Sequence, residues 1–119
     1  MHILLIDDDV GSLRGMKAAL QMLKHTCDGY NDPEKAVQHY RDHDYDLVIT
    51  DVCMPLLDGF ALAKQLKEAN PRVKVLFMSG QTLERTAEAE DALAKNCFLQ
   101  KPIDFLVLKS RLEQFVDKK

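Results

Sequence analysis

Three consecutive aspartates, Asp7-Asp8-Asp9, stand directly after the apolar run Ile3-Leu4-Leu5-Ile6. Asp51 follows Asp46-Leu47-Val48-Ile49-Thr50, Ser79 follows the run from Val73 to Met78, and Lys101 follows Cys97-Phe98-Leu99-Gln100. Each polar residue thus sits where a short apolar stretch ends. If Asp7, Asp8 and Asp51 converge, each pair of charges a few ångströms apart costs roughly 4 kcal/mol at an effective dielectric of about 20. Protonating one carboxylate or binding a cation meets that cost. Hard oxygen ligands favour Mg²⁺ over zinc or copper, and Mg²⁺ on one or two carboxylates keeps a position for a phosphate oxygen. Lys101 supplies a compact positive charge able to pair with Asp51 at rest and with phosphate afterwards. Ser79 supplies a hydroxyl donor. A carboxylate can itself be the nucleophile and become an acyl phosphate, and phosphoryl transfer asks mainly for positioning and charge neutralisation.

Taken singly, these residues have plainer readings. The aspartate triplet suits a helix-capping cluster, Ser79-Gly80 an ordinary turn, and Lys101 the solvated surface. Their joint placement at the ends of successive strands favours one shared site.

The elements that must position them alternate along the chain. Ile3–Ile6 reads as a strand buried on both faces. Leu13, Met16, Leu20 and Leu23 recur at helical spacing, and a weaker extended piece covers Thr26 to Tyr30. Asp32-Pro33 starts a second helix, with Asp as N-cap and Pro at the first position; Ala36, Val37 and Tyr40 form its inner face. Asp46–Thr50 is a third strand ending at Asp51. Asp58-Gly59 opens a helix carrying Phe60, Ala63 and Leu66, which stops before Asn70-Pro71. Val73–Met78 is a fourth strand, and a helix starting near Thr82 runs through Ala87 to Leu93. Cys97–Gln100 is the fifth strand, and the last helix begins around Asp104 and buries Phe105, Leu108, Leu112 and Phe115. Short strands separated by helices imply βαβ units, a parallel sheet and right-handed crossovers, hence a doubly wound α/β domain. Ligands in such sheets bind beyond the carboxyl ends of the strands, the edge on which the polar residues fall.

Composition narrows the function class. The chain has 119 residues, one domain's worth, with no sign of an output domain, and 46% apolar residues fill a single core. A net charge of −3 with scattered Lys and Arg argues against direct nucleic-acid binding. No run approaches the ~18 apolar residues of a membrane span, and Met1-His2 leads straight into a strand with no signal peptide. Cys27, Cys53 and Cys97 lack metal-type spacing and fit reduced thiols of a cytoplasmic protein. His2, His25, His39 and His43 are dispersed, and the H-x₃-H pair at 39 and 43 has no third ligand in view, so no histidine metal site is expected.

With these residues in place, the sequence resembles the receiver domain of two-component response regulators over its whole length. Ile3–Asp9 resembles the acidic first-strand motif, and Asp51-Val52-Cys53-Met54-Pro55-Leu56-Leu57-Asp58-Gly59 fits D-x-x-M-P-x-x-D-G. Met78-Ser79-Gly80 resembles the fourth-strand hydroxyl motif, and Phe98–Pro102 the final K-P motif. The resemblance implies a CheY-like, flavodoxin-like (βα)₅ fold with five helices and strand order 2-1-3-4-5. It implies a signalling switch rather than an enzyme, whose only chemistry is self-phosphotransfer and slow autodephosphorylation. Asp51 is then the phosphoacceptor, charged by a sensor histidine kinase or phosphotransfer protein. Mg²⁺ is held by Asp8, Asp51 and the backbone carbonyl of Cys53, with Asp7 acting through a water. Lys101 contacts the phosphoryl group, through a cis Lys101-Pro102 bond. Ser79 moves toward the phosphate and Phe98, without the hydroxyl of the frequent Tyr, rotates inward. The surface of the fourth helix, fifth strand and fifth helix then controls an output domain or downstream protein.

Some residues depart from the family pattern. Cys53 stands where polar residues often orient the hydrolytic water, which predicts slow to moderate dephosphorylation; Gln81 retains a hydrogen-bonding side chain. Ala94-Lys95 replaces a common Gly-Ala. Leu106 or Val107 is expected to face outward near Ile103, as scattered apolar surface or as a homodimer face on the fourth and fifth helices. Competing classes are a Mg²⁺-dependent haloacid-dehalogenase-type phosphatase, for which Asp7-Asp8-Asp9 satisfies D-x-D but Gly11 replaces Thr or Val and no cap exists, and a pseudo-receiver docking module. A flavodoxin-like electron carrier lacks its phosphate loop.

Overall fold

The computed structural model describes residues 1–80 and 86–116. Five strands alternate with five helices: β1 (His2–Ile6), α1 (Val10–Met22), β2 (Thr26–Tyr30), α2 (Pro33–Asp42), β3 (Leu47–Asp51), α3 (Gly59–Ala69), β4 (Val75–Ser79), α4 (Ala87–Ala94), β5 (Phe98–Gln100) and α5 (Phe105–Glu113). The strands form one sheet in the order β2-β1-β3-β4-β5, and every pair is parallel. The order reverses between β1 and β3, which opens a crevice beyond their carboxyl ends.

Strand alternation divides the core into two layers. Ile3, Leu5, Leu47, Ile49, Leu76 and Met78 face α1 and α5, meeting Met16, Leu20, Leu108 and Leu112. Leu4, Ile6 and Val48 face α2 and α3, meeting Ala36, Val37, Tyr40, Leu62 and Leu66. Because β1 and β3 are covered on both faces, their sequences are continuous apolar runs with no polar alternation. Each fully buried leucine contributes about 1.5–3 kcal/mol, so the two strands carrying the acids are also the most firmly packed.

Helix starts are fixed by side chains. Asp9, Asp32, Asp58, Thr86 and Asp104 each accept a backbone N–H of the following first turn, satisfying donors that the helix leaves open. Helix α1 ends with Lys24 at φ 67°, and α4 with Asn96 at φ 55°. The paired bonds His25 N–H to Leu20 O and Lys24 N–H to Gln21 O close α1, and Cys97 N–H to Ala92 O with Asn96 N–H to Leu93 O closes α4, both in the Schellman arrangement. Asn96 thus makes the turn out of α4 that follows Ala94-Lys95.

Several boundaries and stripes differ from the sequence expectation. Strands β3, β4 and β5 begin at Leu47, Val75 and Phe98, one or two residues later than their apolar runs. The buried stripe of α3 is Gly59, Leu62 and Leu66, not Phe60, Ala63 and Leu66. With Leu66 inward, the 3.6 period puts 62 and 59 on its face, and Phe60 packs at the margin against Phe77, ring centroids 4.6 Å apart. Phe105 is 39% exposed, because the first residue of α5 lies beyond the end of the sheet; Leu108 and Leu112 carry that helix's burial. Leu106 and Val107 both face outward. The expected helix start near Thr82 lies outside the described residues, as does Gln81. No helix among the described residues is long and apolar enough to cross a membrane.

Candidate functional site

Asp7, Asp8 and Asp51 meet at the carboxyl edge of β1 and β3, with one carboxylate oxygen from each within 4.8 Å of the others. Asp7 is fully buried, Asp51 nearly so, and Asp8 is exposed. Asp9 does not join them. Its Oδ1 accepts from Gly11 N–H at 3.0 Å and its Oδ2 from the Ser12 hydroxyl at 3.3 Å. The triplet therefore combines both readings of it: two site residues and one cap.

Lys101 reaches the cluster from the end of β5. Its Nζ donates to Asp7 Oδ2 at 2.7 Å and to Asp51 Oδ2 at 3.1 Å. The lysine thus pairs with both aspartates, and more closely with Asp7, where the sequence reading paired it with Asp51. Its backbone is anchored by Lys101 N–H to Ser79 O at 2.8 Å, and the Lys101-Pro102 peptide bond is cis. Burial favours loss of the lysine proton, but the hydrogen bonds to Asp7 and Asp51 overcome it and hold the ammonium above its ordinary value. Burial likewise pushes the Asp51 carboxyl up, opposed by Lys101 and reinforced by the charge of Asp7. Three carboxylates against one ammonium leave two negative charges uncompensated, the charge of one divalent cation. The donor set is all oxygen with an exposed carboxylate at its rim, which fits Mg²⁺.

The loop after β3 wraps Asp51. Cys53 N–H donates to Asp51 Oδ1 at 3.3 Å, which seats Cys53 beside the carboxylate, and the Thr50 hydroxyl donates to Asp51 O at 3.0 Å. Leu56 lies in the left-handed region at φ 73° with its side chain 92% exposed, an unfavourable backbone for a bulky residue. Gly59 N–H donates to Val52 O at 2.9 Å, and a Cβ on Gly59 would collide with the Asp51 carbonyl oxygen. Only glycine lets α3 approach the end of β3 this closely.

Ser79 is fully buried at the end of β4, with its Oγ 3.7 Å from Cys53 Sγ. The geometry thus gathers Asp7, Asp8, Asp51 and Lys101, with Cys53 and Ser79 at their side. Phe98 stands three residues before Lys101, half-buried on edge strand β5, where it lines a shallow cavity of about 350 Å³ with Leu93, Val107 and Arg111. A second cavity of about 360 Å³ lies between α1 and α5 and reaches Asp7 and Lys101 past Met16, Met78 and Phe105. Neither Leu56's backbone strain nor the Thr50 bond is signalled by residue types, because both depend on backbone geometry. The role of Gly59 was visible only as part of a motif.

Comparison with known proteins gives the chain a family and relatives of the same fold. The family described as the response regulator receiver domain matches residues 3–113. The chain is 32% identical over 114 residues to the transcriptional regulatory protein ZraR of Escherichia coli K12, covering 96% of this chain and 26% of that protein. It is also 32% identical to the sensor protein EvgS of the same strain, covering 96% of this chain and 10% of EvgS. The chain thus spans about a quarter of ZraR and a tenth of EvgS. Among solved structures, the CheX–CheY–BeF₃–Mg²⁺ complex of Borrelia burgdorferi superposes with a TM-score of 0.82 at 25% identity, covering 98% of this chain and 90% of that one.

Proposed function

The chain belongs to the response regulator receiver family, a two-component signalling module rather than a catalytic enzyme, and on that premise we propose that Asp51 is its phosphoacceptor. The observation that carries this reading is the shared Lys101 contact to Asp7 and Asp51, with Asp8 alongside, at the strand-order reversal. The donor is a phosphohistidine on a sensor kinase or phosphotransfer protein. The Asp51 oxygen bonds phosphorus as the phosphorus–nitrogen bond breaks, and the electron pair returns to the donor imidazole. Asp8, Asp51 and the Cys53 backbone carbonyl would hold Mg²⁺, with Asp7 acting through a water, and the bound ion would supply charge neutralisation for the phosphoryl oxygens. The Borrelia relative, solved with Mg²⁺ and BeF₃, supports Mg²⁺ as the ion.

Lys101 leaves its resting pair with Asp51 to contact the new phosphoryl group, and Ser79 donates its hydroxyl to it. Phe98 turns inward behind Ser79, altering the α4–β5–α5 surface that meets an output domain, a downstream protein or a second copy of the chain. Three free thiols suit the reducing cytoplasm, where we place this chemistry.

The experiment is incubation with acetyl phosphate and Mg²⁺, followed by intact mass and released phosphate. One stoichiometric adduct that is absent from Asp51→Asn supports the receiver reading. Release of many phosphate equivalents per chain would support the phosphatase, and an unmodified chain the docking module.

A further inference from the structure

Two of the four histidines meet one carboxylate, and a third stacks on one of them. Asp28, in the middle of edge strand β2, presents Oδ2 to His2 Nε2 at 3.1 Å and to His39 Nε2 at 3.7 Å. Tyr45 donates its hydroxyl to the same oxygen at 2.6 Å. His43, one turn beyond His39 on α2, stacks on it with ring centroids 3.8 Å apart. The group lies at the opposite sheet edge from Asp51. His2 opens β1 while Asp7 follows its end, a separation of roughly 16 Å at the rise of a strand.

Hydrogen-bond roles limit what can stand between His2 and Asp28. His2 Nδ1 lies 3.0 Å from the Asp44 carbonyl oxygen, which can only accept. Nδ1 therefore carries the hydrogen, and in a neutral ring Nε2 is then a bare lone pair. That lone pair points at a carboxylate oxygen that already accepts from the Tyr45 hydroxyl at 2.6 Å. Two acceptors at 3.1 Å need a cation between them: a second proton on His2, or a metal ion.

The surroundings have the form of a metal site. Ligating imidazoles typically donate their other nitrogen to a backbone carbonyl, and ligating carboxylates are themselves hydrogen-bonded; His2 with Asp44 and Asp28 with Tyr45 repeat this pattern. Ligands of a tetrahedral ion with bonds of 2.0–2.1 Å stand about 3.3 Å apart. The two nitrogen-to-oxygen separations, 3.1 and 3.7 Å, are near that spacing, and binding requires the two imidazoles to move toward each other.

We propose that His2 Nε2, His39 Nε2 and a carboxylate oxygen of Asp28 bind a divalent transition-metal ion of the zinc type, with water as fourth ligand. Imidazole with carboxylate selects zinc, nickel or copper over Mg²⁺, so this site and the oxygen-only edge at Asp51 discriminate between metals. The bound ion ties β1, β2 and α2 together.

The test is calorimetric titration of the chelator-stripped full chain with Zn²⁺ at neutral pH, with Co²⁺ absorption as a second readout. Wild type binds one Zn²⁺ and gives the visible band of a tetrahedral Co²⁺ ion. Tenfold or greater loss of affinity in both His2→Gln and His39→Gln, with Asp8→Asn and Cys53→Ser unchanged, supports the site. If His2→Gln fails the circular-dichroism check for folding, His39→Gln, on the outer part of α2, carries the test. The proposal falls if wild type shows no saturable Zn²⁺ binding, leaving a proton alone between His2 and Asp28. It falls equally if binding survives His39→Gln and is lost in Asp8→Asn or Cys53→Ser.

Discussion

Lys101 Nζ stands 2.7 Å from Asp7 Oδ2 and 3.1 Å from Asp51 Oδ2, so the fully buried Asp7, not Asp51, is its closer partner. Lys101→Met leaves two buried carboxylates facing each other, a loss of about 3–5 kcal/mol for a broken buried pair, reduced by protonation of Asp51. Urea unfolding of Lys101→Met and of the double variant Asp7→Asn/Lys101→Met measures it. The double variant recovers part of the loss, and equal midpoints for the two variants would show that Asp7 is not the lysine's anchor.

Charge imbalance predicts the response to metal. Without divalent ions, Asp51→Asn raises the melting temperature by several degrees, corresponding to about 1 kcal/mol of relieved repulsion. Mg²⁺ at one hundred times its dissociation constant adds about 2.7 kcal/mol to wild type and much less to Asp8→Asn. Thermal unfolding with and without chelator gives both comparisons.

Gly59 sets the distance between α3 and the end of β3. Gly59→Ala forces its new methyl against the Asp51 carbonyl and backbone of Val52, at a cost of roughly 1–3 kcal/mol. The displaced Asp51 then phosphorylates more slowly even at temperatures where the variant is folded. A time course with acetyl phosphate checks this, and unchanged kinetics would remove Gly59 from the site.

The thiols separate by burial. Burial pushes the Cys27 thiol up to about 11, so at pH 8 roughly one molecule in a thousand carries the reactive thiolate there. Maleimide mass labelling at pH 8 modifies exposed Cys53 first and leaves Cys27 until the chain unfolds; raising the pH toward 11 speeds Cys27. In the phosphorylated chain, Cys53→Asn supplies a polar group near the phosphoryl and shortens its lifetime, read as decay of the adduct mass.

Acid stability rests partly on Asp28. Its carboxyl is lowered chiefly by the Tyr45 hydrogen bond, so its contribution is present above the unfolded carboxylate pKa and is lost as pH falls through the folded one. Tyr45→Phe therefore destabilises more at pH 7 than at pH 3 in chelated buffer, by melting temperature.

Most of this was legible in sequence because it is local. Apolar runs ending in Asp7, Asp51, Ser79 and Lys101 marked strands and sheet edge together, and Asp32-Pro33 and Asp58-Gly59 marked helix starts. Faces were less legible: Phe60 and Phe105 are large and apolar, but rotational position and the end of the sheet keep them from the core. What was invisible was non-local. His2, Asp28, His39 and Tyr45 come from four segments, and only the pairing of β1 with β2 and the return of α2 bring them together.

Borohydride reduction of the chain treated with acetyl phosphate and Mg²⁺, followed by peptide mass analysis, tests the central claim most directly, since it converts an aspartyl phosphate to homoserine at the modified position. The account predicts homoserine at position 51 and an unmodified Asp8. Homoserine at position 8, or a phosphoryl group on Ser79 or a histidine with Asp51 intact, would contradict it.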